Sequence, residues 1–164
     1  MDTGHWQWSG DNFDARDYCG FVYIVRCCHP EEQRLYIGRK FFHINFGKKR
    51  KQKESPWRNY LTSSEHVKTA IKKYGKEYFT FEMIGIYETR AGVVNAEVEL
   101  QWYANVLHTE YAPEKRAYLN GNIGAIKFIS KEKVSEEHRR RIRQAYQEHF
   151  ELVSKEKETT PSKD

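Results

Sequence analysis

Tyr23 and Tyr36 lie in two short runs, FVYIV (21–25) and RLYIG (34–38), with Gly38, Arg39 and Lys40 following the second tyrosine. Paired tyrosines on neighbouring strands are ordinarily cross-strand packing. Here two phenols, a glycine that permits close backbone approach and two cations occur together. His43, further into the same basic stretch, has an imidazole that titrates near neutral pH. It can move a proton or simply contact an anion. Glu97 and Glu99 lie on a segment of helical pattern, and both fall between apolar arcs, so periodicity does not choose between them. Asn120 and Asn122 flank a glycine, where asparagine commonly serves turn geometry. His66 reads as a surface histidine.

These side chains need elements to position them. The two tyrosine runs are β-branched and aromatic, and HPEEQ between them carries turn chemistry, which predicts an antiparallel hairpin. Residues 39–58 read as a basic loop or irregular insertion. Ser63 or Ser64 can cap a helix in which Val67, Ala70, Ile71 and Tyr74 fall on one face, with Gly75 as its stop. EYFTFEMIGIY (77–87) reads as a third strand, apolar on both faces and expected at the centre of the sheet. A second helix is expected over 91–107, buried around most of its circumference. Residues 117–130 read as irregular, and a third helix spans 135–153. The result is an α+β fold, a small three-stranded antiparallel sheet flanked by helices with an appended C-terminal basic helix. The expected organisation is an arm over 1–19, a principal domain over 20–130, the basic helix within 131–153 and a disordered tail over 154–164.

Composition narrows the function classes. The chain has 164 residues, 28 Lys+Arg against 23 Asp+Glu and a formal net charge of +5. Positive charge concentrates in residues 39–58 and in HRRRIR (138–143), whereas the first twenty residues and 82–114 are acid-rich. Such asymmetry points to a polyanionic partner, nucleic acid first. Three cysteines, two of them adjacent, make neither a disulfide framework nor a zinc site, so a reducing cytoplasm is expected. No apolar run approaches the roughly 20 residues of a membrane helix. The polar, acidic N-terminus does not read as a secretory signal.

FVY (21–23) and YIG (36–38) resemble the two signature halves of the GIY-YIG nucleases, the first half departing conservatively from consensus. The resemblance continues through TSSEHVKTAIKKYGKEYFTFEMI (62–84), NAEVELQWY (95–103) and YLNGNIG (118–124). It is nearest to phage homing-type members with a basic insertion ahead of a W-x-x-Y segment, here Trp57 and Tyr60. It implies a metal-dependent endonuclease that hydrolyses phosphodiester bonds in double-stranded DNA, homing- or restriction-like. It also implies one Mg²⁺ or Mn²⁺ per active site, held by a single glutamate. A one-metal site needs only one protein carboxylate, because Mg²⁺ keeps waters and takes phosphate oxygens.

On this resemblance the catalytic set is Tyr23, Tyr36, Lys40, His43, Arg58, Glu97 and Asn120. Glu97 is the metal ligand, by its spacing to Trp102. The family's arginine on the first helix has no counterpart in register, so Lys40 and then Arg58 stand in for it. Arg39, Lys48, Lys49, Arg50 and Lys51 are expected on DNA phosphates. VSEEHRRRIRQAYQ (134–147) resembles a short DNA-binding helix of phage and intron endonucleases, which adds Arg139, Arg140, Arg141 and Arg143; a helix docking through Ile142, Ala145 and Phe150 is the competing reading. The rival function is a non-catalytic nucleic-acid-binding protein on the same fold. Whether the protein is a monomer or a dimer stays open.

Overall fold

The computed structural model describes residues 2–44, 53–125 and 130–159. In chain order its elements are β1 (Gly20–Cys27), β2 (Leu35–Phe41), β3 (His43–Ile44), β4 (Lys53–Glu54), α1 (Glu65–Tyr74), β5 (Phe79–Tyr87), α2 (Arg90–Tyr103), β6 (Glu110–Ala112), β7 (Lys115–Arg116) and α3 (Glu136–Thr159). The expected hairpin is β1 and β2, paired antiparallel with Tyr23 opposite Gly38. The basic stretch is less irregular than expected, because β3 pairs with β4 and a short 3₁₀ turn covers Trp57–Asn59. Ser64 caps α1 by accepting the Val67 N–H, and Gly75 ends it at φ 99°. Thr89 caps α2 in the same way, through the Gly92 N–H.

The three long strands run in the order β2-β1-β5, so β5 is an edge strand and not the central one expected. Its two-faced burial has another cause. The N-terminal arm lies along its free edge, where the Gln7 N–H donates to Phe81 O at 2.8 Å and Met83 N–H donates to Gln7 O at 2.9 Å. Arg141 of α3 donates to Ile84 O further along. An exposed strand edge invites pairing with other chains; here the chain's own arm and helix satisfy it.

The sheet is the middle of three layers. Strand alternation sends Phe21, Tyr23, Val25, Phe81 and Met83 to one face, against Trp6, Trp57, Val67 and Ala70. Val22, Ile24, Leu35, Ile37 and Ile84 fill the other, against α2 residues Val93, Ala96 and Leu100 and α3 residues Ile142 and Ala145. Trp6 is buried and its indole N–H donates to Trp57 O at 2.8 Å, so the arm is part of the core.

The C-terminal helix packs directly on the domain. His138 Nδ1 and the Tyr87 hydroxyl are 2.8 Å apart, and His149 Nε2 donates to Gln33 O. The helix also continues to Thr159, into the stretch expected to be disordered, because an already docked helix extends one residue at a time without a new nucleus. The helix expected over 91–107 stops at Tyr103. No helix among the described residues is long and apolar enough to cross a membrane.

Two stability outcomes follow from this packing. Trp6→Ala should cost about 3–5 kcal/mol in urea unfolding, the usual price of truncating a buried Trp. Burial, with Arg141 nearby, holds His138 below its ordinary 6.5. The unfolded chain therefore binds that proton more readily, and stability present above the unfolded value is lost as pH falls below it. His5 is depressed by burial as well. Melting temperature should drop on acidification from about pH 8 to about pH 5, and His138→Gln should remove part of that slope. An unchanged slope in the variant would place its origin elsewhere.

Candidate active site

β2 is an edge strand, and that decides the geometry of the site. Successive side chains on a strand point to opposite faces, so Arg39 turns toward α2 and Lys40 toward the α1 side. On a central strand the two would be separated by the sheet. At the edge, both line one cleft of about 480 Å³, together with His43, Tyr60, Ser63, Arg90 and Glu97.

The outer edge of β2 is closed in steps before it reaches the cleft. Leu35 exchanges backbone hydrogen bonds with the returning chain, its N–H donating to Ala117 O and its carbonyl accepting from Leu119 N–H. At Ile37 a side chain takes over. Asn120 Oδ1 accepts the Ile37 N–H at 3.0 Å, and its Nδ2 donates to Ile37 O at 2.8 Å. Gln101 of α2 donates to the same carbonyl. Asn120 is thus a clasp on the Tyr36-Ile37-Gly38 backbone and is itself buried, 3% exposed.

Tyr23 and Tyr36 stand on one face with ring centroids 6.2 Å apart, and Tyr60 is 6.4 Å from Tyr23. Gly38 is what permits this: a Cβ there would come within 2.6 Å of the Tyr23 hydroxyl and 2.7 Å of the Tyr36 ring. Burial, reinforced by the Tyr60 and Tyr36 phenols, pushes the Tyr23 phenol well above its ordinary value. Its hydroxyl lies 3.4 Å from Thr62 Oγ1. Tyr36 is only half-buried; burial raises it too. Both phenols therefore hold their protons at neutral pH.

The charged groups are unequal. Glu97 is buried, 8% exposed, and pairs with Arg39. Lys40 sits over the Tyr60 ring at 4.1 Å, and burial lowers its pKa. Glu99 turns the other way, to Arg139 of α3. His43 is buried at the cleft wall with Nε2 2.7 Å from Ala15 O, so Nε2 carries the hydrogen. Arg58 is not brought to the cleft: it pairs with Glu54 and Asp2, stacks on Trp57 and lines a separate cavity. Lys48, Lys49, Arg50 and Lys51 lie outside the described residues. On α3, Arg139 pairs with Glu99 and Glu136, Arg140 and Arg141 pair with Glu137, and Arg143 pairs with Glu136 and Tyr103.

Sequence reasoning missed Arg90 and Ser63 in the cleft, and the contact of Tyr60 with Lys40. Arg90 was findable: it precedes Glu97 by two helical turns, once Thr89 is read as the cap.

Residues 6–123 match the family model described as "Putative endonuclease segE, GIY-YIG domain". With most of its length matched, the chain belongs to the GIY-YIG family. It is also 29% identical over 126 residues to Intron-associated endonuclease 2 of Enterobacteria phage T4, the match covering 77% of this chain and 41% of that protein. The chain thus spans about two fifths of the length of this relative. No solved structure gives a significant match. The family match takes in Trp6, in keeping with its place in the core.

GIY-YIG nucleases generally depend on a divalent metal. Among the described residues no three His, Cys, Asp or Glu side chains converge, and Glu97 is the carboxylate facing the cleft. A single carboxylate has about four lone-pair positions, so the Arg39 pair leaves capacity for a cation. This donor set fits a hard ion that keeps most of its waters.

The clasp makes a prediction. Asn120→Ala should cost about 1–3 kcal/mol by leaving the buried Ile37 N–H unpaired, while the Ile37 carbonyl keeps Gln101. Hydrogen exchange should quicken at Ile37 more than at Leu35, whose partners are backbone groups. Equal protection at Ile37 in the variant and the wild type would show that the clasp carries no load.

Proposed function

We propose that this chain is a metal-dependent DNA endonuclease that hydrolyses phosphodiester bonds in double-stranded DNA, homing- or restriction-like and phage-encoded. The observation that carries this reading is the cleft in which Glu97, Arg39 and Lys40 meet beside the paired tyrosines. Glu97 would hold one Mg²⁺ or Mn²⁺, and a bound cation would supply Lewis-acid polarisation of a phosphate oxygen.

The remaining work falls to side chains. Tyr36, half-exposed, orients the attacking water by accepting a hydrogen bond at its protonated hydroxyl, and the water's proton leaves to bulk solvent. Tyr23, buried and protonated, holds the Tyr36 ring in place and donates no charge. Lys40, half-buried, offers positive charge to the phosphorane oxygens as charge develops on them. Arg39 does the same once DNA draws it from Glu97. His43, its Nε2–H tied to a carbonyl, positions the wall of the cleft. Asn120 fixes the backbone from which Tyr36 and Arg39 project. Lys48, Lys49, Arg50 and Lys51, and the exposed side of α3, contribute phosphate contacts that carry no sequence information.

Incubating supercoiled plasmid with Mg²⁺, Mn²⁺ or EDTA tests the whole reading: nicked or linear product should appear with either metal and not with EDTA. Glu97→Ala should abolish cutting while the fold persists, whereas Glu99→Ala should cut. The reverse pattern would show that Glu99 is the ligand. Tyr36→Phe should lose on the order of a hundredfold in rate, and Tyr23→Phe less. Full activity in Tyr36→Phe would remove the phenol from the mechanism.

A further inference from the structure

The arginines around the domain are nearly all spoken for. Arg26 is held by Glu82, Arg34 by Glu32, Arg58 by Glu54 and Arg139 by Glu99. Arg39 itself is held by Glu97. Arg90 differs. Among the described residues it makes no ion pair and no hydrogen bond, and its guanidinium lies 4.3 Å from the centre of the Phe41 ring. It is exposed at the mouth of the catalytic cleft and also borders the adjoining cavity of about 620 Å³ along α2.

Its position is built. Thr89 caps α2 immediately before it, and Glu132 accepts the Glu88 and Thr89 N–H groups at 2.7 and 3.0 Å. Gly92 makes room, since a Cβ there would lie 2.2 Å from Glu132 Oε1. The Glu132 carboxylate is therefore taken up by the backbone before α2 and by Thr89, and the Arg90 guanidinium lines the cleft. Among the described residues, two guanidiniums and Lys40 face one cleft with a single carboxylate, and a bound anion relieves that positive excess.

Resting on the DNA-binding side of the proposed function, we infer that Arg90 is a phosphate-binding residue of the cleft. It grips backbone oxygens of DNA from the α2 side, while Lys40 reaches them from the α1 side. The planar guanidinium suits two oxygens of one phosphate.

The test is binding of a short random-sequence duplex in EDTA, followed by fluorescence anisotropy across a salt titration. Arg90→Met keeps the side-chain stem on Phe41 and removes the charge. Its affinity should fall roughly tenfold at low salt, and the slope of log K against log salt should flatten by about 0.9. Arg90→Lys should keep the slope and lose part of the affinity, because an ammonium lacks the fork. Arg90→Met with wild-type melting, slope and affinity would overturn the inference. So would Arg90→Lys flattening the slope as much as Arg90→Met, or a wild-type chain that fails to bind duplex in EDTA. Cleavage is read separately. A chain that binds in EDTA as described but leaves plasmid intact with Mg²⁺ sinks the nuclease reading and upholds Arg90.

Discussion

The hold of the Asn120 side-chain amide on the backbone of Ile37 is the interaction on which the site depends. An edge strand presents alternating N–H and C=O groups that another strand would normally take. In this domain the returning chain pairs with β2 as far as Leu35, and Asn120 then supplies one donor and one acceptor at Ile37. Pairing by a side chain ends the ladder without adding another strand. The backbone beyond it is therefore fixed in place yet uncovered. Tyr36, Arg39 and Lys40 project from this short stretch on both sides of the sheet, beside an edge that no further strand closes.

Electrostatics divide the surface along the same line. The basic helix α3 carries many charges, but acids of its own first turn and of α2 compensate them, and Arg141 is spent on β5. Exposed pairs of this kind add little to stability; their effect here is to lower the free charge that α3 offers a polyanion. In the cleft the balance is reversed, with Arg39, Lys40 and Arg90 around Glu97. The number of cations on a segment is thus a poor guide to where an anion will sit. What matters is which cations lack a nearby acid.

Burial adds a second constraint. Placing Tyr23 wholly inside the aromatic layer raises the cost of ionising its phenol, so the residue serves position better than proton abstraction. Tyr36, closer to solvent and beside Ser63, is the phenol that a water can reach. The two tyrosines, alike in sequence, are separated by depth.

Much of the protein was legible in its residues. Alternating apolar positions and turn chemistry gave the β1–β2 hairpin, and Ser64, Gly75 and the spacing of Val67 and Ala70 gave α1. The FVY and YIG runs with the segments after them gave the family, and the choice of Glu97 over Glu99 as metal ligand rested on that resemblance alone. These are local patterns, set by backbone geometry within a few residues. Strand order was not legible, because a strand covered on both faces reads the same at the centre of a sheet as at an edge sealed by an arm. The pairing of Arg58 with Glu54 and Asp2, the compensation of the α3 arginines and the exposure of Arg90 were also hidden. Each depends on which acid arrives from elsewhere in the chain, and only tertiary structure brings residues 39, 90 and 97 to one edge of one sheet.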